Sequence, residues 1–277
     1  MSNKSKSLVV RFLVRAAAGI TFGVLFFIIG YILYRGIPAL TPSLFAQKYT
    51  SQNVSMFPAI INTLLLVLAT LILVTPIGVF TGFYLIEYAK RGSRLVELIR
   101  IATETLSGIP SIVYGLFGML FFVNRLEFSY SLLAGILTVA IMVLPLIIRS
   151  TEEALMAVDD RLREASFGLG AGKLRTIFRI VLPVAMPGIL SGVILSIGRI
   201  IGETAALMYT LGTATRLVSG PFISGRTLSV HMYMLSNEGL HVEESFATGV
   251  ILLITIFIIN GISTFLSNKL TKGKNNG

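Results

Sequence analysis

The chain of 277 residues has no cysteine, so disulfides, thiol chemistry and cysteine-ligated metals are excluded. It has only two histidines, His231 and His241, ten positions apart, and they read as isolated solvated side chains rather than a metal site. Charge is scarce as well, at 13% of residues. No nucleophile paired with a base, and no cluster of metal-ligating side chains, marks the chain as an enzyme. Low-complexity segments and internal repeats are also missing.

What is present is apolar. Hydrophobic residues make up 54% of the chain and the mean hydropathy is +0.84, which describes a protein whose solvent is the bilayer. Six apolar runs lie near 16–34, 60–85, 105–123, 131–148, 186–208 and 246–266, close to the roughly 20 residues that cross about 30 Å of hydrocarbon. The first, "AAAGITFGVLFFIIGYILY", follows Lys4, Lys6, Arg11 and Arg15. It is longer than a signal core and "RGIPAL" after it offers no A-x-A cleavage site, so it reads as a retained helix. The fold class is an all-α polytopic membrane protein with six transmembrane helices. Residues 1–15 and 267–277 are tails, 16–34 the first span and 60–266 the core, with an inner loop at 149–184.

The net charge of +10 would suggest nucleic acid in a soluble protein, but its location says otherwise. With the N-terminus inside, seventeen of the 23 basic residues fall in inner segments, five in outer ones, and Arg199 within a span. The positive-inside rule then puts both termini in the cytoplasm, and the basic character is topology with no nucleic-acid partner.

The inner loop holds "EASFGLGAGKLRTIFRIVLP", whose Gly168, Gly170, Gly172 and Lys173 suggest a phosphate cradle. The suggestion fails on spacing. A G-x-x-x-x-G-K-[S/T] loop ending at Lys173 needs glycine where Phe167 stands and a hydroxyl where Leu174 stands. A G-x-G-x-x-G fingerprint from Gly168 needs glycine at Lys173. Apolar residues recur instead at helical spacing, Leu162, Ala165, Ser166 and Leu169 before the glycines and Leu174, Ile177, Phe178 and Val181 after them. This predicts an amphipathic helix, a turn at Gly170-Ala171-Gly172, and a second helix ended by Pro183, neither long enough to span. Such a pair can rest on lipid headgroups or dock into a groove of a cytoplasmic partner.

Two further features lie inside the membrane. Arg199 sits about 13 residues into the fifth run, or roughly 20 Å, where an arginine costs at least about 2.5 to 3.5 kcal/mol and must be paired or face water. Glu203 follows at i+4, so either a local ion pair or a pathway role is open, the weaker Arg-before-Glu order favouring the pathway. Gly188, Gly192, Ser196, Gly198 and Gly202 suit close helix packing. In the third run, Pro110 predicts a bend or break around Ser107-Gly108-Ile109, and Glu104 reads as a charge facing the bundle or the inner loop. On the outer side, "GRTLSVHMYMLSNEG" predicts a short surface or re-entrant helix with Leu228, Met232, Tyr233 and Leu235 on one face.

Glu164-Ala165-Ser166, three residues, Gly170, nine residues, then Ile180, Val181, Leu182 and Pro183 resemble the EAA loop of ATP-binding-cassette (ABC) importer permeases, with Ser166 for the second alanine. The resemblance implies a MetI-like permease whose loop docks on a separate ATPase, so that ATP and magnesium belong to the partner and this chain holds no cofactor. "SGIPSIVYGLFG" and "GRIIGETAAL" resemble the phosphate-specific permeases of the PstA type. That likeness implies an importer in a prokaryotic inner membrane, with a PstC-like second permease, two PstB-like ATPases and a PstS-like phosphate-binding protein outside. It assigns the phosphate path to Arg199 and Glu203, with Thr204, Ser107 and Ser111 in the same motifs. Arginine offers an oxyanion a planar fork of donors, and Glu203 can accept a hydrogen bond from protonated phosphate that sulfate cannot offer. An importer for phosphonate or molybdate is the nearest alternative, and an ion channel or membrane sensor the alternative of another class.

Overall fold

The structure is a computed structural model that describes residues 3–90 and 92–272. Helix α1 (Asn3–Gly36) leads through a short 3-10 turn to α2 (Phe57–Phe83), which a π-helical turn carries on to Tyr88. Helices α3 (Arg94–Ser107) and α4 (Ser111–Gly118) follow, the latter extended by a π-helical turn over Met119–Arg125. Then come α5 (Leu132–Met156), α6 (Asp160–Gly168), α7 (Lys173–Thr176), α8 (Leu182–Gly202), α9 (Ala205–Met208), α10 (Leu228–Glu238) and α11 (Val242–Lys272).

Five helical stretches are long and apolar enough to cross a bilayer: Val10–Gly36, Phe57–Tyr88, Leu132–Met156, Lys173–Gly202 and Val242–Phe265. Helices α3 and α4, whose axes meet at 104°, are long and apolar enough only as a pair, the geometry of a broken span or a re-entrant loop. The break falls where Pro110 removes a backbone donor and holds its predecessor out of helical geometry, as the sequence predicts.

Helices α2, α5 and α8 form the core, burying Leu66, Val74, Val143, Ile147, Ile197 and Ile201 among themselves. Between helices in lipid there is no hydrophobic driving force, so cohesion comes from close contact at small residues. A Cβ on Gly78 would lie 2.6 Å from Ile147, one on Gly82 2.6 Å from Thr151, and one on Gly188 2.7 Å from Ala154. Gly192 is packed as tightly on Ser150, and Ser196 is buried. Gly198 and Gly202 meet nothing within 4 Å, so only part of that small-residue set serves packing. Helix α1 leans on α11 through an Arg35–Glu243 ion pair of 2.6 Å and Tyr31 against Phe246, and otherwise faces outward.

Two expectations about helix ends are corrected. Pro183 does not end the helix after the glycine turn. A π-helical turn over Ile177–Val181 lies just before it and carries α7 into α8, so the second loop helix and the fifth span are one element. At the other end the fifth span stops at Gly202 rather than running to 208.

The short outer helix exists as α10, started by Thr227 and ended at Gly239, where φ is +72°. It folds inward rather than lying on the surface. Leu228 and Leu235 are buried as expected, but Tyr233 is exposed and His231 is buried, so the predicted face is rotated. The polar pair Asn62-Thr63 on α2 explains the inward fold. The Asn62 amide donates to the carbonyls of Arg216 and Arg226 and accepts from the N–H of Val218, while the Thr63 hydroxyl accepts from the N–H of Leu228. Chain that would otherwise be loop is thus anchored to a span, with its backbone groups satisfied.

Candidate functional site

The two motifs that carry the phosphate-type resemblance meet in space. Helix α4 lies against α9, and the contact is nearly backbone to backbone, since a Cβ on Gly115 would come within 2.8 Å of the Ala206 Cα. Gly118 is seated on Thr138 and Thr210 in the same way. Tyr114 is buried beneath this contact, and its hydroxyl donates to the Leu106 carbonyl at 2.6 Å, bridging the break between α3 and α4. That carbonyl lies in the last turn of α3, where it also accepts from the Ile109 N–H, so the tyrosine adds a second donor across the break.

Arg199 and Glu203 do not pair. Glu203 has an extended backbone (φ −69°, ψ 128°), which takes its side chain off the helical stripe that Arg199 occupies. Its carboxylate is 8% exposed, and Oε1 accepts from the N–H of Thr204 at 3.2 Å and of Ala206 at 3.0 Å. Glu203 is therefore the anion at the start of α9, where freed amides favour negative charge. Its own carbonyl accepts from the Ser229 hydroxyl at 2.6 Å, which ties the break to α10. Arg199 is half-buried, close enough to the Tyr114 phenol for its charge to be felt there, and makes no hydrogen bond or ion pair among the described residues. A membrane arginine without a partner among the described residues has its donors free for a ligand or a neighbouring subunit.

Thr204 lines a cavity of about 520 Å³ with Ala205, Met208, Tyr209 and Ile112, walled by α10 and α11. Arg199, Glu203, Ser107 and Ser111 do not line it. Ser107 is exposed and donates to the Thr103 carbonyl, and Ser111 is half-buried at the start of α4. Glu104 is exposed and bonds to neither the bundle nor the inner loop, contrary to expectation.

The inner loop folds as predicted around its glycines. Gly170 has φ +79°, and the N–H groups of Gly170 and Ala171 donate to the carbonyls of Phe167 and Ser166. This closes α6 with the paired bonds of a Schellman turn, which a left-handed glycine permits. Ser166 is the buried member of the Glu164-Ala165-Ser166 triplet, and its hydroxyl shares a 2.8 Å hydrogen bond with Thr176. Glu164 and Ala165 are exposed, and Ile180, Leu182 and Pro183 are half-buried. Leu169 at the turn is 89% exposed, with Leu174 and Phe178 also open.

Several important residues escaped the sequence reading. Arg163 on α6, with only 14% of its side chain exposed, is a hub reaching Glu87 on the far end of the second span. Arg100 likewise reaches the buried Glu152 at 3.1 Å. Near α10, Arg226 is buried over the Tyr49 ring at 4.9 Å, and loss of water pushes its guanidinium below the usual value, against the partial compensation of Tyr49. His231 is 0% exposed, edge-on to Tyr49, and is held neutral, with a pKa of about 3, first by burial and then by the Arg226 charge. The solvated reading of His231 is thereby overturned. His241 is not isolated either, since its Nδ1 lies 3.5 Å from Glu244. No cluster of three metal-ligating residues occurs among the described residues.

The chain resembles the "Probable ABC transporter permease protein YqgI" of Bacillus subtilis, at 30% identity over 92% of each chain. It resembles the "Phosphate transport system permease protein PstA" of Yersinia pestis at 38% identity, over 72% of this chain and 68% of that one. Against PstA 1 of Mycobacterium tuberculosis, 40% identical, the match spans half of the relative, 50%. Among solved structures, the bacterial ABC transporter involved in the import of the acidic polysaccharide alginate superposes with a TM-score of 0.65 over 98% of this chain and all of the other, at 17% identity, so that likeness concerns the fold. The model of the family described as "Binding-protein-dependent transport system inner membrane component" matches residues 74–272, and the chain belongs to that family.

Proposed function

We propose that this chain is the transmembrane permease subunit of an ABC importer for inorganic phosphate in a prokaryotic inner membrane, with both termini cytoplasmic. The observation that carries the reading is Arg199, unpaired among the described residues and beside the break between α8 and α9, where the two phosphate-type motifs touch. A guanidinium there gives a desolvated oxyanion five donors and a full charge, while the Glu203 Oε2, which makes no hydrogen bond among the described residues, is left to accept from protonated phosphate. The phosphate-system relatives support the same substrate.

In this reading the chain hydrolyses nothing and holds no cofactor. ATP and magnesium sit in two PstB-like ATPases, which grip the exposed Leu169 beside Glu164. A PstC-like permease completes the pathway and a PstS-like protein delivers phosphate from outside. The test is uptake of radiolabelled phosphate at low phosphate in a strain lacking this chain. Restoration by the natural sequence, and its loss with Arg199→Gln at equal membrane abundance, supports the reading. Restoration of phosphonate or molybdate uptake alone replaces it with the other oxyanion importer.

A further inference from the structure

At the basic end of the bundle the second span and the segment after the glycine turn enclose a groove of about 500 Å³, lined by Phe80, Phe83, Tyr84, Leu174, Phe178 and Met186 among others. On α2 it extends from Val79 to Tyr88, roughly 14 Å along the helix. The wall is almost wholly apolar. Water gains nothing there, and a peptide laid in it would leave its backbone groups without partners.

The mouth of the groove is different in kind. Tyr84 and Tyr88 are shared with an adjoining recess that contains Lys90 and the start of α3. The Lys173 ammonium stands 4.6 Å above the Tyr88 ring, and neither lysine has an ion pair among the described residues. Glu87 and Asp160 are both engaged by Arg163, and these three groups with the two lysines leave a net charge of +1, three cations against two anions.

We propose that this groove is a binding site for one anionic phospholipid, with an acyl chain among the phenylalanines and the phosphate at Lys173 and Lys90. An apolar slot opening onto a net positive mouth, with two lysines that have no ion pair among the described residues, matches that molecule in both halves, and basic pockets beside spanning helices take such headgroups. Lys173, which fails as a nucleotide-loop lysine, thereby acquires a phosphate of another kind. The inference needs the chain to span a bilayer and is independent of what it transports.

The natural sequence has no tryptophan, so Phe178→Trp gives this chain one tryptophan, on the groove wall, and its signal is the difference from the complex with the natural chain. The transporter complex carrying it is reconstituted in phosphatidylcholine vesicles containing a minor fraction of brominated phosphatidylglycerol or, at equal bromine, brominated phosphatidylcholine. Phosphatidylglycerol should be the stronger quencher, with a preference on the order of fivefold for each lysine. Adding Lys173→Gln and Lys90→Gln should bring the two lipids level without reducing total access. Leu174→Trp serves as a second reporter should the first variant not assemble. Equal quenching by both lipids, shielding from both, or a preference that survives the double glutamine change overturns the proposal.

Discussion

Arg163 and Glu87, 76 positions apart, form the staple that holds the inner loop against the second span. The guanidinium sends Nε and Nη2 to one carboxylate oxygen of Glu87 at 3.1 and 2.9 Å. Its remaining donors reach Asp160 and the carbonyls of Val158 and Leu155, so all five are used. The side chains are 14% and 9% exposed, which makes loss of one partner expensive.

Arg163→Ala should therefore destabilise the loop by about 3 kcal/mol, at the low end for a broken buried pair because the arginine is not fully enclosed. The Arg163→Glu, Glu87→Arg exchange should recover little, because a glutamate cannot donate to the two carbonyls. Protease cutting within 160–176 in membranes and thermal unfolding of the purified complex measure both effects. Equal stability of the exchanged and natural proteins would show that the ion pair alone matters.

Glu203 separates fold from transport. Glu203→Gln keeps an oxygen for the Thr204 and Ala206 amides, so assembly and thermal stability should stay close to natural while phosphate uptake falls. Glu203→Ala removes the acceptor and should cost about 1 kcal/mol of stability as well. Uptake unchanged in the glutamine variant would remove the carboxylate from the transport pathway.

His231 gives the outer region a pH dependence, and α10 lies outside the spans. Its folded pKa of about 3 is below the ordinary 6.5, so an opened α10 binds a proton that the closed one refuses. Stability is then flat above pH 6.5 and declines as pH falls toward 3, by about 2 kcal/mol at pH 5. Hydrogen exchange of α10 should quicken by more than tenfold between pH 7 and pH 5 after correction for intrinsic rates. His231→Leu should abolish that acceleration, and its persistence would assign the effect to another group.

Gly170 tests the turn. With φ at +79°, Gly170→Val should strain the backbone by about 1 to 2 kcal/mol and uncouple ATP hydrolysis from uptake, whereas Gly170→Asn, which tolerates the left-handed region, should keep most activity. Glu164→Lys, at an exposed position that supports no internal contact, should uncouple without changing stability. Uptake at natural rates in both the valine and the lysine variants would count against the docking role.

The features that were legible in the sequence have local causes. Spanning length follows from runs of apolar residues, the break before α4 from the missing donor of Pro110, and the turn after α6 from glycine's freedom at positive φ. Each holds whatever the rest of the chain does. Asn62 was also open to view as a polar residue in an apolar run, although its bonds to residues 154 to 164 positions away were not.

The tertiary structure decided where the charges go. Arg199 and Glu203 have ion-pair spacing, but the helix ends between them and the freed amides of α9 take the carboxylate. Pro183 looks like a terminator until the π-helical turn that precedes it is seen to carry the helix on. His231 read as solvated because its sequence neighbours show no partner, and what packs over it comes from Tyr49 and Arg226; the Glu87 partner of Arg163 is likewise 76 positions away. The sequence alone determined an all-helical membrane protein with a glycine turn between two amphipathic helices, since hydropathy and backbone stereochemistry act residue by residue, and the motif resemblance added the permease family. Which buried charges are paired, capped or left for a ligand depends on contacts between distant segments, and only the folded chain brings those together.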